Sequence, residues 1–160
     1  AAFGEPGTIT AGNASQISDG AAAMVVVSEE VANSIGVTPL GELVGYGMVA
    51  GPDASLLTQP SRAISQAISK AAISKTDVSF YEINEAFATV SLASMADLSI
   101  PHDIVNVNGG SIALGHPIGM SGARLALTAL YELKRRGDKY AAVGLCGGGG
   151  QGDGAVLGRV

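Results

Sequence analysis

Between Asn108 and Arg124 the chain carries Gly109, Gly110, Gly115, Gly119, Gly122 and Pro117. A run so rich in glycine and proline cannot continue as one regular helix or strand. Its glycines serve positions where backbone turns back or approaches something closely. Pro117 restricts His116, one of two histidines, to extended backbone. The imidazole is therefore expected on a stiff loop, with a helix directly after it. Ser121 can cap that helix, and Ala123, Ala126, Leu127, Leu130 and Leu133 share one of its faces. Lys134, Arg135 and Arg136 fill its last turn, and Gly137 ends it. Two readings of His116 stand at this point: a base placed by a rigid loop, or a structural histidine in a turn.

Two other stretches bear on that choice. Asn84-Glu85-Ala86-Phe87 lies where an expected strand, 78–83, meets an expected helix from Asn84 to about Leu98. Leu145-Cys146-Gly147-Gly148-Gly149-Gly150-Gln151-Gly152 holds the single cysteine at the end of another expected strand, 140–146. Open α/β sheets build their sites at such strand ends. Asn84 can cap the helix or present its amide to a ligand, and one amide has capacity for both. Glu85 reads as an acid or base, or as a residue matched to the helix dipole. The helix is apolar on most sides, so it is expected to be buried. The glycine-rich run 147–154 lacks the Lys and Ser/Thr of a P-loop, and a strand rather than a helix is expected after it. His102 stands outside any motif and is expected in solvent.

The rest supplies a frame. Residues 1–18 read as an arm. Ala21 to Val27 is a continuous apolar run, expected to be a strand covered on both faces. Ser28 caps a short helix that Gly36 ends. Leu40 to Val49 reads as a strand in which Gly45 and Gly47 signal a bulge or a close approach. Gln59-Pro60 opens a packing helix with Ile64, Ala67, Ile68, Ala71 and Ala72 on one face. Ile104 to Val107 reads as a short strand, and 153–160 as a last strand antiparallel to 140–146. This order predicts an α/β layered domain with a mixed sheet between helices.

Composition limits the function. Only 14% of the residues are charged, against about 25% in average proteins, so part of the surface is expected to be covered. A net charge of −5 argues against nucleic acid or an anionic membrane as partner. No apolar run approaches the ~20 residues of a membrane span. One cysteine allows no internal disulfide and fits a reducing, cytoplasmic setting.

Together, Asn84 to Phe87, Gly115-His116-Pro117 and Cys146-Gly147-Gly148 resemble the motifs of the thiolase family, in the same order. The glycine frame from Gly109-Gly110 to Gly122-Ala123-Arg124 is similar to the thiolase signature too. So are Thr8 to Ser15 and Asp19-Gly20-Ala21-Ala22. The resemblance runs from about Gly7 to the end. It implies a thiolase-type domain with a mostly five-stranded mixed sheet, arranged as an arm, 1–20, and a C-terminal domain, 21–160. It also implies acyl transfer between coenzyme A thioesters, by Claisen condensation or by thiolysis, in fatty acid metabolism.

The resemblance assigns roles to His116, Cys146, Asn84 and Gly148. Cys146 would be the base at the α-carbon, provided its thiol titrates below the ordinary value of about 8.5. His116 and a water held by Asn84 would face the enolate oxygen. The Gly148 N–H would serve a second oxyanion hole, and the glycine-rich run would bring backbone to an acyl carbonyl. Ser15, Gly12, Ala11, Ala86 and Phe87 would meet coenzyme A, and Leu56 the acyl end; core packing remains open for Ala86 and Phe87. Neither a metal nor a tightly bound cofactor is implied, coenzyme A being substrate. A thiolase also needs a nucleophilic cysteine from its N-terminal half, and the one cysteine here occupies the other motif. The chain therefore resembles a C-terminal half, expected to be inactive alone, to pair with an N-terminal half and to form a dimer or tetramer. A ketoacyl-synthase-like enzyme and a non-catalytic acyl-CoA-binding subunit are the alternatives; the former carries no second catalytic Cys.

Overall fold

The computed structural model describes residues 1–2 and 4–160. Five α-helices and four strands follow in order: α1 (Glu29–Ser34), β1 (Glu42–Ala50), α2 (Gln59–Lys70), β2 (Val78–Ile83), α3 (Ala88–Leu98), α4 (Ser111–Leu114), α5 (Ser121–Arg136), β3 (Tyr140–Gly147) and β4 (Gln151–Gly158). The sheet order is β1-β4-β3-β2, antiparallel except for the parallel β2–β3 pair. Helix α2 packs on one face, where Ile64, Ala67, Tyr81, Ile83 and Val156 form a core. Helix α5 packs on the other, against Phe80, Ala141 and Val143. Each fully buried Leu, Ile or Phe in these layers contributes about 1.5–3 kcal/mol.

The α/β class and the mixed sheet between helices are as expected, with four strands instead of five. The segment 104–107 makes only one bridge, Val105 to Tyr81. Beyond it Asn106 turns to a left-handed φ of 50°. Its side-chain amide then accepts from the Ile83 N–H and donates to the Ile83 carbonyl, at 2.8 and 2.9 Å. A side chain thus occupies the place of a fifth strand.

The run 21–27 is not a strand either. No strand among the described residues pairs with it, and Val25 and Val26 are 91% and 81% exposed. Gly45 and Gly47 behave as expected: β1 shifts register between Leu43 and Gly45, and a Cβ on Gly47 would lie 2.1 Å from the Ala63 carbonyl of α2. Glycine is what lets α2 lie this close.

Three helix expectations also change. Residues 84–87 lie outside the helix and α3 begins only at Ala88, because the arm pairs with them. Ser15 N–H donates to Ala86 O, Ala88 N–H donates to Asn13 O, and Ala14 bridges Phe87. Helix α3 is buried through Val90, Ser91, Ser94, Met95 and Leu98, while Leu92 on its other side is 58% exposed. Helix α5 buries Leu130 and Leu133 as expected, but with Leu125 and Ala129 rather than Ala123 and Leu127, and with Arg124 turned towards the buried Glu82. Gly137 ends α5 at a left-handed φ of 78°, as expected.

Candidate functional site

Strands β2 and β3 run parallel, so both reach the same sheet edge with their C-terminal ends. The ladder continues one step past β2, where Asn84 N–H donates to Gly144 O at 2.9 Å. Asn84 is fully buried, so its amide must find partners inside the protein. Ser111 Oγ donates to Asn84 Oδ1 at 2.6 Å. Asn84 Nδ2 lies 3.3 Å from His116 Nε2.

The glycine loop places both partners. Its first part closes into the single turn α4, a helix where none was expected. The Glu85 carboxylate fixes that turn by accepting from Ile112 N–H at 3.1 Å and from Asn106 Nδ2 at 2.9 Å. A Cβ on Gly110 would stand 2.1–2.2 Å from this carboxyl group, so the clamp requires glycine there. Glu85 is thus a structural clamp. Hydrogen bonds from Arg135 chiefly, and from Arg136 and Asn108, hold the Glu132 carboxyl down at about 2 against its burial.

His116 sits at the loop's far end, its N–H donating to Gln16 O at 3.2 Å. Its Nδ1 meets Ser121 Oγ at 2.6 Å, and the Ser121 hydroxyl also reaches Pro117 O at 3.0 Å. Ser121 is the first residue of α5, not its cap. Burial, and next the Arg124 charge, push the imidazole below its ordinary value of 6.5. Arg124 donates from Nη1 to Glu82 Oε2 at 3.1 Å and from Nη2 to Ser111 Oγ at 3.2 Å. Glu82 is fully buried and its Oε1 has no partner among the described residues. Burial raises its carboxyl to about 7, against the opposing pull of Arg124.

Cys146 stands two residues beyond Gly144 on β3. Alternation along the strand puts it on the face of Ala142 and Gly144, towards α2. Asn84 and His116 gather on the α5 side, and neither hydrogen-bonds the Cys146 sulfur. Burial raises its thiol rather than lowering it. Gly148 is exposed in the turn 148–150 that joins β3 to β4.

The arm brings Ser15 to the same edge, its hydroxyl donating to Ala86 O at 3.1 Å. Ala86 and Phe87 are half-buried beside it. Gly12 N–H bonds Thr10 Oγ1 in an exposed turn, with Ala11 next to it. Leu56 is half-buried ahead of α2, and His102 is exposed. A depression of about 430 Å³ is lined by 18–22 and 117–120; it holds none of His116, Asn84 and Cys146. Sequence reading missed Ser111, Glu82 and the inward turn of Arg124. A serine between two glycine-rich turns carries no signal of its own, and Glu82 and Arg124 stand far apart in the chain.

The model of "Thiolase, C-terminal domain" matches residues 37–159. The chain belongs to the thiolase family. The family's N-terminal domain model matches residues 1–30. Among relatives, a probable acetyl-CoA acetyltransferase of Mycolicibacterium smegmatis is 56% identical over 158 residues, covering 99% of this chain and 41% of that protein. Human mitochondrial 3-ketoacyl-CoA thiolase is 46% identical over 156 residues, 97% of this chain and 39% of that protein. The crystal structure of the human mitochondrial enzyme in complex with CoA superposes with a TM-score of 0.93 at 45% identity, over 99% of this chain and 40% of that one. This thiolase-family chain thus spans about 40% of the length of the relatives it matches.

Proposed function

We propose that this chain is the C-terminal part of a thiolase that moves acetyl or longer acyl groups between coenzyme A thioesters. The observation that carries the reading is the Asn84–His116 pair, held at 3.3 Å beside the β2–β3 strand ends of a thiolase-family domain. An N-terminal half supplies the nucleophilic cysteine. Residues 1–30 fall within that half's family model, which explains why the apolar run 21–27 finds no strand partner here. The covering domain and a dimer or tetramer then bury these residues.

In condensation, His116 takes the proton of the nucleophilic thiol, whose sulfur accepts an acyl group from one thioester, while the Cys146 thiol gives its proton to the leaving coenzyme A thiolate and becomes a thiolate itself. The Cys146 thiolate removes a proton from the α-carbon of a second thioester. Its enolate oxygen is met by His116, now protonated, and by a water on Asn84; donors aimed at such charge lower barriers by roughly 3–4 kcal/mol each. The enolate carbon attacks the acyl group and frees the nucleophilic sulfur, while Gly148 N–H and the nucleophile's own N–H face the acyl oxygen. Thiolysis runs these steps backwards. The substrate lies across the strand ends, with Cys146 approaching from the α2 side and His116 from the α5 side. Ser15, Ala11, Gly12, Ala86 and Phe87 border the pantetheine arm, and Leu56 the acyl end.

Acetoacetyl-CoA cleavage, followed by the loss of its enolate absorbance, tests this. The chain alone is expected to be inactive, and mixing or fusing it with an N-terminal thiolase domain is expected to restore turnover. Full activity of the 160-residue chain by itself, or none in any complemented form, overturns the reading.

A further inference from the structure

The hydrogen bonds around His116 have a direction that their donors and acceptors dictate. Arg124 can only donate, so Ser111 Oγ accepts from it. Ser111 is fully buried, and its hydroxyl proton needs an acceptor; Asn84 Oδ1, at 2.6 Å, is the one the structure supplies. That contact assigns the amide, because oxygen towards Ser111 means nitrogen towards His116. Asn84 Nδ2 can only donate, so His116 Nε2, at 3.3 Å, must accept. The proton of the neutral ring then sits on Nδ1 and is donated to Ser121 Oγ, whose own proton goes to Pro117 O. Behind Ser111, Glu82 holds the other arm of the Arg124 fork.

From this we infer that Glu82, Arg124 and Ser111 form a positioning relay, which sets the orientation of the Asn84 amide and through it holds His116 as the Nδ1–H tautomer. The relay leaves the Nε2 lone pair at the strand ends, ready to exchange the Asn84 N–H for a proton taken from a thiol. None of the three touches substrate; they act through Asn84. The kinetic consequence rests on the reading of His116 as a base, whereas the tautomer rests on the geometry alone.

Nitrogen-15 NMR decides the question, with labelled histidine confined to this chain and the chain assembled with an N-terminal thiolase domain. His102→Gln removes the second histidine signal. The expected neutral-state spectrum has a protonated Nδ1 and an unprotonated Nε2. In Ser111→Ala the amide is free to turn, the two tautomers are expected to mix, and kcat is expected to fall roughly tenfold to a hundredfold with KM little changed. Ser111→Thr, which keeps the hydroxyl, is expected to restore both. If Ser111→Ala does not fold, Arg124→Lys serves instead: one ammonium is a poor bridge between Glu82 and Ser111, so the same mixing is expected. A protonated Nε2 in the unaltered protein overturns the inference, as does an unchanged spectrum and kcat in the variant that folds. An inactive assembly with the Nδ1–H spectrum intact would instead overturn the acyl-transfer reading and leave the relay standing.

Discussion

Cys146 is half-buried, and loss of water raises its thiol above the ordinary range. Among the described residues no cation offsets that burial, so in the proposed reading the lowering a catalytic thiolate needs comes from the N-terminal half or from substrate. Alkylation of the isolated chain by iodoacetamide is therefore expected to follow a thiolate midpoint above that of a free cysteine, about 8.5. Addition of the N-terminal half is expected to shift the midpoint down, and rates against pH measure both. Glu82 gives a second test. Its folded value of about 7 lies above the ordinary 4.5. The folded state thus holds the proton more tightly across that window. Its contribution to stability is fully present below 4.5 and is lost as pH rises through 7. Glu82→Gln mimics the protonated form, so its stability relative to the parent is expected to rise with pH by up to about 3 kcal/mol. His116, pushed below 6.5, works in the opposite sense: folded stability rises as pH climbs towards 6.5. Urea unfolding of both proteins from pH 4 to 8 separates the two.

Among the elements, the segment after β2 owes its shape to partners from elsewhere in the chain. The arm pairs with 84–87 and delays α3, and Asn106 takes both hydrogen bonds of Ile83 while donating to Glu85. Asn is among the few residues that accept a left-handed φ readily. Asn106→Ala leaves the Ile83 N–H unpaired and its carbonyl with only the Ser91 hydroxyl at 3.5 Å, takes one of two partners from the Glu85 clamp and strains the turn. A loss of about 2–3 kcal/mol is expected, read as a lower urea midpoint with an unchanged slope. An unchanged midpoint would show that water replaces the amide at no cost.

The whole molecule exposes 8550 Å². A compact monomer of its mass exposes about 7,400 Å². The excess is consistent with the extended arm, where Val25 and Val26 stand in solvent, and Leu92, Met48 and Ile118 add apolar surface elsewhere. In the proposed reading the N-terminal half covers these side chains. The isolated chain is expected to bind the dye ANS and to self-associate. Its complex with the N-terminal half is expected to leave the dye dark and to stop at a defined dimer or tetramer. Light scattering behind a sizing column reads the outcome, and a dye-silent 15.9 kDa monomer would show that the chain needs no cover.

What the sequence alone determined was local or periodic. Helix α2 opening at Gln59-Pro60, strand β2 at 78–83, the Gly137 stop and the β3–β4 hairpin follow from alternation, caps and turn residues close in the chain. The stretches around Asn84 and His116 were legible for a similar reason, since their glycines and polar residues sit where strands end. The tertiary structure alone decided the rest. An apolar run such as 21–27 cannot become a strand without a neighbour to pair with, and nothing within the run reports whether one exists. A fifth strand gave way to one amide, because Asn106 meets Ile83 only in the fold. Glu82, Arg124, Ser111 and Asn84 become a directed chain of hydrogen bonds only when burial removes water as a competing partner, and burial is a property of the packed molecule.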